Sequence, residues 1–168
     1  DGKYTITGVP AGDVYVQTCS SCSGSGLNYI DEFYDNRTDC NEADPVTVSQ
    51  DAETENIDFQ LDSGGSISGT VRDSEGNAIL GIGINVDVYS GDACGENQHV
   101  QGTSTDPSNG TYTVTGLPAG DYYVETNNYN QSNYVNEWWN GSSPDPSDIH
   151  CSLAQAISVG SGETVTGK

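Results

Sequence analysis

The 168-residue sequence contains no methionine, only four lysines and arginines, and no apolar run approaching the roughly 18 residues that a membrane-spanning helix requires. Each shortage excludes something. Against four basic residues stand 25 acidic ones, a formal net charge of -21, and a surface of that sign repels nucleic acid phosphates and anionic lipid alike. No nucleic acid partner and no membrane insertion are therefore expected. The only histidines, His99 and His150, read as loop residues, and the chain has no H-E-x-x-H and no G-x-S-x-G. An enzyme is not expected. With neither an initiating Met nor a signal peptide, the chain reads as an interior piece of a longer polypeptide.

What is present points to strands. Apolar residues make up 33% of the chain, so any core is small. Glycine at 21, ten tyrosines and abundant Thr, Ser, Asn and Asp favour short strands with frequent turns. The expectation is an all-β, antiparallel fold with almost no helix. Five cysteines in a polar, Lys-poor chain fit an oxidising compartment, which places the protein outside the cell or on its surface.

The chain repeats itself. Asp1 to Thr18 reads DGKYTITGVPAGDVYVQT, and Asn109 to Thr126 reads NGTYTVTGLPAGDYYVET, 108 positions later. NYIDEFYDN (28–36) returns as NYVNEWWNG (133–141), and Cys40 corresponds to Cys151. Residues 63–168 therefore read as one essentially complete repeat, and residues 1–62 as the C-terminal half of a preceding one. In the complete unit, Ser66 to Arg72 reads as a strand and Asp73 to Asn77 as a turn. Ile82, Ile84, Val86 and Val88 alternate with small or polar neighbours, as do Tyr112 with Val114 and Tyr122 with Val124. This period of two gives each strand one core face and one wet face, so two sheets must stack. Val9-Pro10-Ala11-Gly12 and Leu117-Pro118-Ala119-Gly120 sit between strand runs and read as the turn of one hairpin per copy.

The stretch from Gly69 to Ile79 (GTVRDSEGNAI), followed by the G-x-Y strand, the L-P-A-G corner and the Y-x-V strand, resembles carboxypeptidase regulatory-like domains and the B-type repeats of bacterial surface adhesins. The resemblance covers nearly the whole chain, counting the half copy. It implies seven-stranded, prealbumin-like (Ig-like) sandwiches in tandem, acting as stalks or spacers, and no enzymatic activity. Many B-type repeats carry a Lys-to-Asn or Lys-to-Asp isopeptide bond. The lysines here, Lys3 and Lys168, share no position between the copies, so that cross-link is not expected.

Among the cysteines, Cys94 and Cys151 lie in one unit, and a disulfide between them would close a long loop. By repeat logic Cys40 pairs with a Cys94 equivalent of the preceding unit, leaving Cys19 and Cys22 to bond locally. The rival pairing joins Cys40 to Cys19 or Cys22, and spacing alone does not choose between them.

Calcium is the expected cofactor. The turn Asp106-Pro-Ser-Asn109-Gly110 and its counterpart at Asp1 resemble the Asp-rich calcium turn of some B-type repeats. Asp31, Glu32 and Asp35, Glu137, Asp13 and Asp121 after the corners, and Asp73 with Glu75 add the oxygen ligands that calcium prefers. Each of these acids also has a bland role as a turn-former or solvated charge. Asn36, Asn109, Asn130 and Asn140 begin N-x-[ST] sequons, so the chain can be a glycoprotein. Phe33, Tyr34, Trp138 and Trp139 recur as an aromatic pair in both copies. They can pack at a core edge, against a neighbouring repeat, or on sugars. The expectation is thus a structural repeat of an extracellular fibre or stalk, an adhesin or matrix filament whose partners are its own copies or adjacent repeats. The alternative is a glycan-binding accessory module.

Overall fold

A computed structural model describes residues 2–20, 22, 27–129, 133–141 and 150–168. Of the residues singled out above, Asp1 and Asn130 lie outside that set. The described chain is nearly all β. Its only helical segments are two single 3-10 turns, Cys40–Glu42 and Cys151–Leu153. Among the described residues nine strands form three sheets. β1 (Gly12–Val14) pairs with β2 (Val46–Val48). Residues 63–168 hold the other seven: β3 (Gly65–Thr70), β4 (Asn85–Gly91), β5 (Asn97–Ser104), β6 (Thr111–Leu117), β7 (Gly120–Asn127), β8 (Ile157–Val159) and β9 (Thr164–Val165). They divide into a three-stranded sheet, β6-β3-β9, and a four-stranded sheet, β5-β4-β7-β8. All ladders are antiparallel except β3 with β9, which is parallel.

The two sheets share one core, because the period of two aims one face of each at the other. Ile67 comes from β3, Val86 and Val88 from β4, and Tyr112, Val114 and Leu117 from β6. Tyr122 and Val124 come from β7, Ile157 and Val159 from β8, and all ten are buried. Burial in this layer pushes the Tyr112 phenol up to about 12 by desolvation.

Three local expectations change. The Leu117-Pro118-Ala119-Gly120 corner is not a hairpin turn: β6 pairs with β3 and β7 with β4, so the corner carries the chain from one sheet to the other. Leu117, fully buried, anchors the crossing, and the Tyr122 hydroxyl donates to Pro118 O at 2.7 Å. Ile82 stays outside β4 and is 36% exposed. Burial by alternation extends to Ile84, whose carbonyl still accepts from Thr105 N–H at 2.8 Å, and stops there. His99 is not in a loop but on β5, opposite Tyr89, because the β4–β5 hairpin runs to Gly91 and Asn97.

Cys94, in the β4–β5 loop, is bonded to Cys151, on the 3-10 turn that leads into β8, with Cα atoms 5.1 Å apart and a sequence separation of 57. Closing a loop of that length contributes about 4 kcal/mol in the chain-entropy account. Reduction, or Cys94→Ser, is expected to lower the unfolding free energy by roughly 2–5 kcal/mol in denaturant melts with and without reductant. Val86→Ala, which empties a fully buried position between the sheets, is expected to cost a further amount of order 2 kcal/mol in the same assay.

Candidate functional site

The repeat is a repeat of hydrogen bonds, not only of letters. Gly12, Asp13 and Val14 face Val48, Thr47 and Val46, and Gly120, Asp121 and Tyr122 face Val159, Ser158 and Ile157 in the same register. Thr18 N–H donates to Glu32 O at 2.9 Å and Tyr34 N–H to Val16 O at 2.9 Å. In the second copy Thr126 N–H donates to Glu137 O at 2.8 Å and Trp139 N–H to Val124 O at 2.9 Å. The Thr18 and Thr126 hydroxyls each accept the N–H of that glutamate, at 2.9 Å in both copies. A strap of chain (31–34, then 136–139) is thus pinned beside the strand that follows each P-A-G corner.

Between the two copies lies a tight joint. Asn28 O accepts from Gly64 N–H at 3.0 Å and Asn28 Oδ1 accepts from Gly116 N–H at 2.8 Å, while within the first copy Ile30 N–H donates to Asp62 O at 3.0 Å. One asparagine therefore ties the first copy both to the residue that precedes β3 and to the end of β6. The approach admits only glycine: a Cβ on Gly64 would meet Gly116 Cα at 2.7 Å and Asn28 Oδ1 at 2.9 Å. Gly116 itself has φ +77°, a left-handed conformation costly for other residues. Sequence reading missed this joint. Its only trace was the glycine pair 64–65 at the seam, and pairing between residues 88 positions apart cannot be read from spacing.

The candidate calcium ligands are dispersed. Asp13 and Asp121 each accept a hydroxyl across the ladder, from Thr47 at 2.7 Å and Ser158 at 2.5 Å. Asp73 closes its own turn by accepting from the backbone N–H groups of Glu75 and Asn77, and these bonds hold its carboxyl below the usual range. Asp106 does the same with Ser108, whose hydroxyl and N–H both donate to it, and its carboxyl is likewise lowered. Asn109 accepts from Thr111 N–H and hydroxyl. Asp31 accepts from Ser20 N–H at 2.6 Å. Asp35 and Glu75 are exposed, Glu137 is half-buried, and Glu32 is buried with Oε1 unpaired. Among the described residues no three His, Cys, Asp or Glu side chains converge in a way that could hold a metal ion.

The aromatic pair divides its labour. Trp138 is buried, pairs with Glu125 as an isolated bridge and packs on Tyr89 with ring centroids 5.5 Å apart. Phe33 holds the same place in the first copy, bridged to Gln17. Trp139 is half-buried beneath the Lys168 ammonium, 4.5 Å from the ring centroid. It lines an open groove of about 740 Å³ with Tyr112, Tyr134, Asn136 and Arg72. Tyr34 instead meets Phe59 edge-on, at 6.4 Å.

Beside the Trp138 bridge lies a pair of acids that sequence reading also missed. Asp87 and Glu125 face each other across β4 and β7, on the side of the sheet opposite Val86 and Val88. Asp87 is buried and lies 3.4 Å from His99. Burial, and then the neighbouring Asp87 charge, push the Glu125 carboxyl up, while its bond to Tyr89 pulls the other way. An acid at an alternate position of a strand looks like a wet-face residue, and spacing alone does not show that Asp87 is buried and Glu125 half-buried.

Cys19 is bonded to Cys22. Cys40 is exposed and unbonded. Of the sequon asparagines within the described residues, Asn36 and Asn109 are exposed and Asn140 is half-buried. No helix among the described residues is long and apolar enough to cross a membrane. No protein-family model, curated protein or solved structure matches the chain.

Trp138→Ala is expected to cost about 3–5 kcal/mol of stability, whereas Trp139→Ala, at the groove, should cost less. Thermal melts of the two variants compare them directly. Glu125 gives a pH signature. Because its folded-state value is raised, the stability it contributes is present below the ordinary carboxylate range and is lost as pH rises through the raised value. The midpoint of Glu125→Gln should therefore match the parent in acid and exceed it at neutral pH, in melts run across that range.

Proposed function

We infer that the chain is a stretch of tandem β-sandwich repeats of the prealbumin-like kind, serving as a structural module of an extracellular or cell-surface fibre or stalk. The observation that carries this reading is the joint at Asn28, Gly64 and Gly116, which adds direct hydrogen bonds between copies to a frame that both copies share. A joint sealed by backbone contacts transmits load and orientation, which is what an array of spacers needs. Seven strands in two sheets within residues 63–168 and a Cys94–Cys151 staple support the same reading. So does the resemblance of the G-x-Y, L-P-A-G, Y-x-V pattern to regulatory-like and B-type repeats. Two disulfides suit an oxidising, extracellular setting, and a net charge of -21 keeps such a surface soluble without basic partners.

In this reading adjacent repeats are the partners, and the exposed Asn36 and Asn109 are the places where glycans would be carried. Calcium, the expected cofactor of this reading, would bind carboxylates that at Asp73 and Asp106 already accept local hydrogen bonds. The groove beside Trp139 favours the second reading, a glycan-binding accessory module, since it offers aromatic and amide groups of the type that hold sugars.

Three measurements separate these readings. In material from the natural source, the sequence is expected in polypeptides or assemblies far above the 17.7 kDa of this chain; a soluble, unassembled monomer of that mass overturns the fibre. The thermal midpoint is compared in calcium and in EDTA at fixed ionic strength, and an unchanged midpoint leaves the acidic turns closed by their own bonds alone. A marked rise in calcium would instead make cation sites part of the fold. Loss of glycan retention in Trp139→Ala, with an unchanged melt, would favour the accessory module.

A further inference from the structure

The first copy carries a C-S-S-C motif that the second lacks. Between Thr18 and Asn28 stand Cys19 and Cys22, whereas between the corresponding Thr126 and Asn133 there is no cysteine. The two cysteines are exposed and bonded to each other, and they bracket Ser20, which is buried. Ser20 braces the segment that makes the joint. Its N–H donates to Asp31 Oδ1 at 2.6 Å, and its hydroxyl lies within donating distance of Tyr29 O, at 3.1 Å, and of Asp31 Oδ2, at 3.3 Å. Tyr29 is bridged to Ser63, and its neighbour Asn28 holds Gly64 and Gly116. A Cβ on Gly116 would meet Tyr29 O at 3.0 Å and Ser20 Oγ at 3.7 Å, so the brace reaches the seam itself.

The second copy makes the same brace by other means. Asn128 N–H donates to Asn136 Oδ1 at 3.0 Å, as Ser20 N–H does to Asp31, and Asn128 Nδ2 donates to Tyr134 O, as the Ser20 hydroxyl does to Tyr29 O. An amide nitrogen stands two bonds beyond Cβ and a hydroxyl only one, so Ser20 reaches its acceptors only while its backbone is held close. In the first copy a disulfide supplies that hold. We propose that Cys19–Cys22 is a redox latch on the joint between the copies. Closed, it keeps Ser20 against Tyr29 and Asp31; opened by a low-molecular-weight thiol, it releases Ser20, and the bonds of Asn28 to Gly64 and Gly116 loosen. In the opening, two reductant thiols give up two protons and two electrons and become one disulfide, while the Cys19–Cys22 bond breaks and each of its sulfurs takes up a proton. Exposed disulfides are the labile ones. Because this bond spans a sequence separation of 3, against 57 for Cys94–Cys151, its opening acts locally. The latch acts on the joint that carries the fibre reading, but it rests on the joint's hydrogen bonds and not on that assignment.

The test is amide hydrogen exchange on the whole 168-residue chain across a graded glutathione redox buffer, with the disulfides mapped by mass spectrometry at each step. Cys19–Cys22 is expected to open before Cys94–Cys151. Once it is open, the Gly64 and Gly116 amides should exchange about tenfold faster or more, as a local opening requires. The amides of β4, which has a strand on either side, should not change. Those of Thr18 and Tyr34, bonded to Glu32 O and Val16 O, should also stay slow, and reoxidation should restore the joint. Cys19→Ser with Cys22→Ser should show the fast joint without reductant. Ser20→Asn, which gives the first copy the amide that Asn128 uses, should keep the joint slow after reduction. Unchanged exchange at Gly64 and Gly116 with Cys19–Cys22 reduced, an equal acceleration in β4, earlier opening of Cys94–Cys151, or an undiminished response in Ser20→Asn overturns the proposal. The fibre reading is left untouched by any of these results, since it is decided by the mass and assembly of the natural material.

Discussion

Each sheet of this protein has an apolar face that it cannot leave in water, and the architecture follows from how that face is covered. In residues 63–168 the cover is the other sheet. Ile67, Val86, Val88, Val114 and Leu117 are essentially inaccessible, and a core of only ten residues leaves little margin. At about 25 cal/mol per Å² of apolar surface removed from water, a core this thin depends on being closed at its ends. The Cys94–Cys151 bond ties the β4–β5 loop to the turn before β8, and the crossing at Leu117 and Pro118 carries the chain between the sheets.

The same constraint explains the contrast between the copies. Residues 2–9 and 110–117 are nearly the same words, yet only the second set becomes a strand. A strand is a relation between two chains of backbone donors and acceptors, and isolated pairings are marginal in water. β1 and β2 persist in the first copy because they have each other, down to the Asp13–Thr47 hydrogen bond that Asp121 and Ser158 repeat.

The large negative charge is spread out, not concentrated. Four of the acids that looked like metal ligands, Asp13, Asp73, Asp106 and Asp121, close turns or accept a hydroxyl across a ladder, and at Asp73 and Asp106 one carboxylate satisfies at least two local donors. Glu125, whose carboxyl burial pushes up, drew no notice in the sequence, because it lies opposite Asp87 across β4 and β7 and is bridged by Trp138 from more than ten residues along the chain.

The sequence by itself determined the class of fold, the internal repeat, the alternation that divides core from wet face, and the turns at Asp73 and Asp106. These depend on neighbours within a few residues, where backbone geometry and side-chain period suffice. The tertiary structure alone decided that the L-P-A-G corner joins two sheets, that His99 lies on a strand, that Trp138 is core while Trp139 lines a groove, and that Asn28 meets Gly64 and Gly116. Each of those depends on which strand lies beside which. Pairing of that kind is set by competition among many distant partners for the same edge and the same apolar face, and no local pattern records the winner.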